Sequence, residues 1–352
     1  MFIVNKIVFV LNIIAAALLL GSYLSPVISP QTFWPVSFLG LAYIPLLIAN
    51  MVFVVYWLVQ AKLHVFISVG AIVFGFSFIG RYYQISGSTK PADEKTIKVV
   101  SFNIQNFDER KKQANPYPEY FTAIGEEKPD IVCMQEFNRW VGINEKNTSL
   151  EELKLAMGKG FNYIERDKVT NSLIIASKHK IIRHKGFTFG KKRTTNGAMW
   201  ADILIGKDTI RVFNVHFQSF LLNKVKLDSL DTKDKALEGS KSIVRRLRNG
   251  FVNRVPQVDS VLMEIENSPY KIILCGDFND TPLSYTYGKM TKNLRDAFIE
   301  CGSGLGATYS GPYPSFRIDY ILHNPSFKSY NYKRGLSYGS DHKMIQVELA
   351  LK

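Results

Sequence analysis

The first 90 residues contain no acidic side chain. The first is Asp93, and Lys6, Lys62, Arg81 and Lys90 are the only Lys or Arg residues in that block. Ile, Leu, Val, Phe and Ala dominate the rest, in three apolar stretches at residues 7–24, 33–59 and 63–80. A helix satisfies its own backbone groups, so a stretch of about 20 apolar residues is a candidate to cross a bilayer. Without a polar face the block does not suit the shell of a helical soluble domain. The pattern predicts three transmembrane helices over residues 1–82. A cleaved leader at 1–24 fits less well, because its leading segment has one Lys and two further stretches follow. Lys6 and Lys62 fall on one side of such a block, which the positive-inside rule makes cytoplasmic. Arg81 opposes that bias. The expectation is an integral membrane protein, held in the bilayer by its N-terminal helices, with everything after Gly80 extracytoplasmic.

Residues 83–96 are polar and read as a linker, leaving 97–352 as one large domain. The net charge is +14, most of it beyond residue 90. A basic domain suggests an anionic partner: nucleic acid, anionic lipid or a phosphorylated small molecule. The strongest basic patch is Arg245, Arg246, Arg248 and Arg254, on a helix expected over 243–267 with a kink at Pro256. A second run, Lys191-Lys192-Arg193, lies in a loop. Either can be a solvated face or a contact to headgroups or a polyanion. The three cysteines show no zinc spacing and no disulfide framework. No segment signals an obligate protein partner.

Within the domain, chemistry-bearing side chains gather where strands end. Ile272-Ile273-Leu274-Cys275-Gly276 is a short apolar run that reads as a buried strand and delivers Asp277 and Asn279, which share a face because side chains alternate. An Asx-rich turn closing a strand is the bland alternative. The same pattern recurs elsewhere. The strand at 97–103 ends in Asn103, and that at 130–136 in Gln135 and Glu136. The strand at 209–215 runs into His216. The strand at 316–322 carries Arg317, Asp319 and Tyr320. Asp341 and His342 precede the last strand at 344–349. An Asp buried in a strand needs a partner, and His342 is the logical one for Asp319. Further strands are expected at 173–177, 180–185 and 198–205, and helices at 116–128 and 150–157. Pro282 fits the first position of a short helix capped by Thr281.

The set offers no nucleophilic Ser or Cys in an elbow. It has the parts for attack by activated water on a phosphate ester: carboxylates for Mg²⁺, a base, imidazoles and Asn donors. Six motifs carry a resemblance: Ser101-Phe102-Asn103, Gln135-Glu136, Asn214-Val215-His216, Gly276-Asp277-Phe278-Asn279, Arg317-Ile318-Asp319-Tyr320 and Ser340-Asp341-His342. In this order they resemble the endonuclease/exonuclease/phosphatase superfamily, with its DNase I-like fold, over about residues 97–352. The resemblance implies an α/β four-layer sandwich, two mixed β-sheets flanked by helices. It implies phosphodiester or phosphomonoester hydrolysis that depends on Mg²⁺ or Mn²⁺; with the N-terminal helices, which depart from the family's secreted and nuclear members, the expectation is a membrane-anchored phosphoesterase. Glu136 would be the main metal ligand, supported by Asn103 and Asp341. Asp277 would align or deprotonate the water, Asn279 would contact the phosphate, and His216 would stabilise it or protonate the leaving group. Asp319 would orient His342, which competes with Asp277 for the role of base. Arg317, Tyr320, Arg245 and Arg246 are candidates for substrate contacts.

Nuclease activity is the leading expectation. A phospholipid or sphingomyelinase-like phosphodiesterase and an inositol-phosphate phosphatase are the alternatives within the family. A catalytically inactive binding module and a non-enzymatic membrane scaffold are readings from other classes, and neither accounts for polar groups at six strand ends.

Overall fold

A computed structural model describes residues 2–85, 87–105, 117–137, 154–155, 158, 160–161, 163–166, 169, 172–189, 196–220, 233–311 and 315–351. Six helices come first: α1 (Phe2–Ser22), α2 (Pro30–Phe33), α3 (Pro35–Leu41), α4 (Tyr43–Val59), α5 (Val65–Phe74) and α6 (Phe76–Ile79). Then follow β1 (Tyr83–Gln84), β2 (Ile97–Asn103), α7 (Tyr117–Glu126), β3 (Ile131–Gln135), β4 (Tyr163–Arg166), β5 (Ile174–Ser177), β6 (Lys180–Thr188), β7 (Gly197–Ile205) and β8 (Asp208–His216). The long helix α8 (Lys233–Glu266) leads to β9 (Lys271–Asp277), α9 (Tyr285–Met290), β10 (Arg295–Asp296), α10 (Ala297–Cys301) and β11 (Gly304–Leu305). β12 (Asp319–His323), β13 (Phe327–Arg334) and β14 (Ile345–Leu351) close the chain. The chain divides into two compact units.

The first unit comprises Met1–Arg81, Ser219–Val255 and Asp280–Lys289. Its apolar helices are polar inside and apolar outside. Asn12 Nδ2 donates to Ser68 Oγ at 2.6 Å, Ser68 Oγ donates to Asn50 Oδ1 at 2.8 Å, and Trp57 Nε1 donates to Asn12 Oδ1 at 2.8 Å. All four residues are fully buried. Ile7, Val10, Val52, Val55 and Phe66 are exposed meanwhile. At one end of the bundle, Asn5 Nδ2 donates to Gln60 Oε1 at 2.8 Å, which brings the chain start beside the turn between α4 and α5.

The expected three transmembrane helices are corrected here. Among the described residues, only α1 is long and apolar enough to cross a membrane by itself. A second candidate exists only if α3 and α4 count as one span, and they are bent by 66° at their junction. The third stretch gives α5, of 10 residues, and then breaks. The break has a packing cause. Tyr23 lies so close to Gly75 that a Cβ there would meet its ring at 2.0 Å, while Tyr23 Oη donates to Ala71 O at 3.0 Å.

Arg254, read as part of a surface basic patch, is fully buried in this unit. Its Nε donates to Asp280 Oδ2 at 3.1 Å, and its guanidinium lies 4.4 Å from the Phe220 ring centroid. The helix expected from Thr281 begins later, with Ser284 Oγ accepting from Tyr287 N at 3.2 Å.

The second unit comprises Tyr82–Gln218, Pro256–Asn279 and Met290–Lys352. It holds two six-stranded sheets, ordered β10-β12-β9-β8-β7-β6 and β13-β14-β2-β3-β5-β4. Both are mixed: β8 and β9 pair in parallel, as do β2 and β3, while the other pairs are antiparallel. Alternate residues of each strand enter a shared core: Val99, Ile131, Cys133 and Ile175 from one sheet, and Met199, Val212, Ile273 and Ile321 from the other. The opposite face of β2 and β3 packs on Phe121 and Ile124 of α7. On the outer side of the other sheet, Glu264 of α8 accepts from Trp200 Nε1 at 2.9 Å and pairs with Lys185 at 2.6 Å. The result is the expected α/β arrangement of two mixed sheets with helices outside. Strands β1, β4, β10, β11 and β13 go beyond the expected set. Most of the helix expected at 150–157, and the whole run Lys191-Lys192-Arg193, lie outside the described residues.

Candidate active site

Strand register builds the site. Parallel pairing of β8 with β9 sets His216 opposite Asp277, and antiparallel pairing of β12 with β9 sets Asp319 opposite the same Asp277. In the other sheet, β2 and β3 end together at Asn103 and Gln135, with Glu136 next in the chain. Sheet periodicity does the rest. Asp277 and Asn279 share a side, and Phe278 between them points away into Tyr320 and Phe217, ring centroids 4.6 and 5.4 Å off.

The backbone at these ends is unusual. Gln105, Glu136 and Asn279 adopt φ of 48°, 55° and 50°, in the left-handed region that side chains other than Gly rarely occupy. Such conformations cost about 1–3 kcal/mol each and persist only where the surroundings enforce them. Gly276, at φ 144°, sits where a Cβ would come 2.0 Å from Val215 O, so no other residue fits.

Asp277 is the centre. Its Oδ2 accepts from Asn103 Nδ2 at 2.9 Å and Asn279 Nδ2 at 3.1 Å, and its Oδ1 accepts from Asn279 N at 2.7 Å. His216 Nε2 stands 3.7 Å from Asp277 Oδ2 and 3.5 Å from Glu136 Oε1. His342 Nε2 stands 3.8 Å from Asp277 Oδ2, while its Nδ1 lies 3.1 and 2.9 Å from the two oxygens of Asp319. Burial raises the Asp277 carboxyl to about 6, against the opposing charge of His342; Asp319 adds to the rise and His216 opposes it. Burial alone would lower His342, but the charges of Asp319 and Asp277 and the hydrogen bond to Asp319 hold it up at about 10. Its two carboxylate neighbours thus favour the protonated ring.

Residues to which the sequence assigned no role hold this set in place. Thr308 Oγ1 accepts from Ile318 N and Asp319 N, both at 3.1 Å. Gln105 Oε1 accepts from Asp341 N at 3.1 Å, and Ser340 Oγ donates to Asn103 O at 2.8 Å. Beneath the site, Gln135 Nε2 donates to Asn214 Oδ1 at 2.7 Å and links the two sheets. Ser340 and Gln135 lie inside two of the motifs and Gln105 just beyond a third, so position marks them though role does not. Thr308, in a Gly- and Ser-rich loop, left no signal.

Two of the candidate substrate contacts, Arg317 and Tyr320, are engaged in packing within the second unit. Arg317 is buried, paired with Asp296, and lies over the rings of Phe298 and Tyr320 at 4.4 and 4.8 Å. Tyr320 is also buried, its Oη donating to Arg317 O at 2.9 Å. These positions serve packing: a buried Arg needs a carboxylate, and Asp296 supplies it. Arg245 and Arg246 belong to the first unit, on α8.

Glu136 and Asp341 fit a hard divalent cation. Asp341 Oδ1 is buried and has no hydrogen-bond partner among the described residues, with only the His342 ring 3.7 Å away. Burial raises the Asp341 carboxyl; the charge of His342 opposes the rise, and the nearby charge of Glu136 adds to it, a repulsion that a cation would relieve. Asn103 turns its Nδ2 toward Glu136, at 3.4 Å, and toward Asp277, so it orders both carboxylates. Asp277, Asp319 and His342 form another cluster, with one ligand atom each within 4.8 Å of the others. There the imidazole nitrogen Nδ1 is already engaged by Asp319.

Residues 100–342 match the family model described as "Endonuclease/Exonuclease/phosphatase family". The chain belongs to the endonuclease/exonuclease/phosphatase family. It is accordingly a hydrolase of phosphate ester bonds, and family members generally use a divalent metal. Residues 5–82 match a model described as "Domain of unknown function (DUF8431)". No curated protein matches the sequence. Among solved structures, humanized D. rerio TDP2 aligns with TM-score 0.53 and 14% identity, covering 72% of this chain and 98% of its own. D. rerio TDP2 complexed with single-strand DNA product aligns with TM-score 0.53 and 15% identity, covering 73% and 99%. A family protein from Leptotrichia buccalis aligns with TM-score 0.52 and 18% identity, covering 72% and 100%. At these identities the likeness is one of fold.

Proposed function

We propose that this family member is a membrane-anchored, metal-dependent phosphodiesterase with nuclease activity. The observation that carries the chemical part is the convergence of His216, Asn279 and His342 on Asp277. Glu136 and Asp341 would hold Mg²⁺ or Mn²⁺, which supplies charge neutralisation at the phosphate.

The chain's own groups divide the remaining work. Asp277, the carboxylate in the middle, takes a proton from the attacking water as the new P–O bond forms. His342 serves as a fixed cation facing the phosphate, with Asp319 keeping its ring in place. With its ring favoured in the charged form by Asp319 and Asp277, His342 suits the role of base less well than Asp277. His216 protonates the leaving oxygen as the old P–O bond breaks, and Asn103 and Asn279 keep the Asp277 carboxylate aimed. Single-stranded nucleic acid is the favoured substrate class, supported by the TDP2 relative with its DNA product.

Support for membrane anchoring comes from the first unit. Its exposed apolar side chains on α1, α4 and α5 and its buried Asn–Ser–Trp network reverse the polarity of a soluble bundle. The bond from Asn5 to Gln60 brings together the segments that carry Lys6 and Lys62, which favours that end of the unit as the cytoplasmic one.

The test uses the full chain in detergent with bis(p-nitrophenyl) phosphate and a single-stranded oligonucleotide. Hydrolysis that needs added Mg²⁺ or Mn²⁺ and is lost in Asp277→Ala is expected. Turnover unaffected by chelator, or retained by Asp277→Ala, overturns the reading.

A further inference from the structure

A second site lies within the first unit. Lys241, Arg245 and Arg248 follow one another along α8 at i, i+4 and i+7, so they share a face of the helix. With Trp34, Ser240 and Val244 they line an open groove of about 380 Å³. The Arg248 guanidinium lies over the Trp34 ring at 5.7 Å. Trp34 is fixed in turn by Phe38, ring centroids 5.5 Å apart, and Phe38 packs edge-on against Phe251 of α8 at 5.4 Å. No carboxylate pairs with Lys241, Arg245 or Arg248 among the described residues. Among the described residues, the groove therefore joins apolar lining to three cations and no anion.

We propose that this groove binds the phosphate headgroup of an anionic phospholipid. Three cations on one face select a phosphate, and the guanidinium forks match its oxygens. The choice of lipid over nucleic acid comes from the side chains near Trp34 in the chain. Leu24, Val27 and Phe33 are 48%, 72% and 54% exposed, which suits acyl chains and leaves them in water if the ligand is a soluble polyanion. A half-buried Trp at the edge of an apolar block is the side chain that sits at headgroup level. The inference rests on the membrane-anchored reading of this unit.

The test is a calorimetric titration of the full chain in a neutral detergent. The probes are dioctanoyl phosphatidylglycerol, dioctanoyl phosphatidylcholine, inorganic phosphate and a single-stranded oligonucleotide. Wild type is expected to bind the anionic lipid at least about tenfold more tightly than the zwitterionic one. The triple variant Lys241→Gln/Arg245→Gln/Arg248→Gln loses about 10- to 100-fold at low salt. Lys241→Gln alone, at an exposed position, keeps the fold and gives a partial loss. Equal affinity for the two lipids, or a triple variant that loses only oligonucleotide or phosphate binding, overturns the proposal. Flotation of wild type with phosphatidylcholine vesicles separates the two levels. Floating protein without headgroup selectivity sinks the groove alone, and protein that does not float sinks the membrane reading as well.

Discussion

Asp319 meets the Nδ1 of His342 with both carboxylate oxygens, at 3.1 and 2.9 Å, while the far side of the same ring faces Asp277 at 3.8 Å. A carboxylate placed this way fixes the ring's orientation and keeps it charged. Asp319→Asn should lower kcat about 10- to 100-fold with little change in KM, the usual effect of losing such an orienting partner. Steady-state kinetics on the oligonucleotide substrate check this, with thermal melting as the control for folding. A variant with wild-type kcat removes His342 from the proposed chemistry.

Gly276 marks where the fold tolerates no side chain. At φ 144°, with Val215 O 2.0 Å from an added Cβ, Gly276→Ala forces β9 away from β8 and so separates Asp277 from His216. A loss of about 2–4 kcal/mol is expected, from backbone strain and a clash that cannot relax. Urea unfolding of the two proteins side by side is the measurement, and unchanged stability would refute the crowding argument.

Glu300 predicts a pH dependence remote from the site. Burial alone would raise it, yet contacts with His323 Nε2 at 3.2 Å, Ser329 Oγ at 2.5 Å and Arg295 at 3.2 Å bring it down to about 2. A depressed carboxylate adds stability that is complete above its unfolded value near 4.5 and is lost as pH falls through about 2. The melting temperature of wild type should therefore fall more steeply between pH 4.5 and 2 than that of Glu300→Gln. Parallel slopes for the two proteins would contradict this.

In the first unit, Arg254 and Asp280 form a buried ion pair. Removing one partner strands the other charge, so Asp280→Ala should cost about 3–5 kcal/mol, whereas Arg254→Met combined with Asp280→Leu should recover much of it. Denaturant titration of the full chain in detergent distinguishes the two. If the double variant is no better than the single, the loss comes from packing.

The catalytic half of this architecture was legible because strand periodicity is rigid. A polar residue at the end of an apolar run has one place to point, and Asn103, His216, Asp277 and Asp319 all follow that rule. What hydropathy could not supply was the fate of a charge inside an element. Arg254 looks in sequence like an exposed basic residue, and Arg317 looks buried but without a partner; each meets a carboxylate that only the tertiary fold brings near, Asp280 and Asp296. Edge strand β13 was missed because its exposed Lys residues and the bulge near Asn331, at φ 52°, interrupt the alternation. Counting apolar residues likewise missed the breaks in the N-terminal helices, since the one at Gly75 depends on Tyr23, far away in sequence.

In the proposed function, Glu136 and Asp277 serve a metal-dependent hydrolysis of phosphodiesters. The most direct measurement is oligonucleotide cleavage by the full chain with Mg²⁺ or Mn²⁺ added, comparing wild type with Glu136→Ala. Loss of most activity in Glu136→Ala, with partial recovery at high metal concentration, is the predicted result. A Glu136→Ala protein that cleaves as fast as wild type at limiting metal would contradict the account.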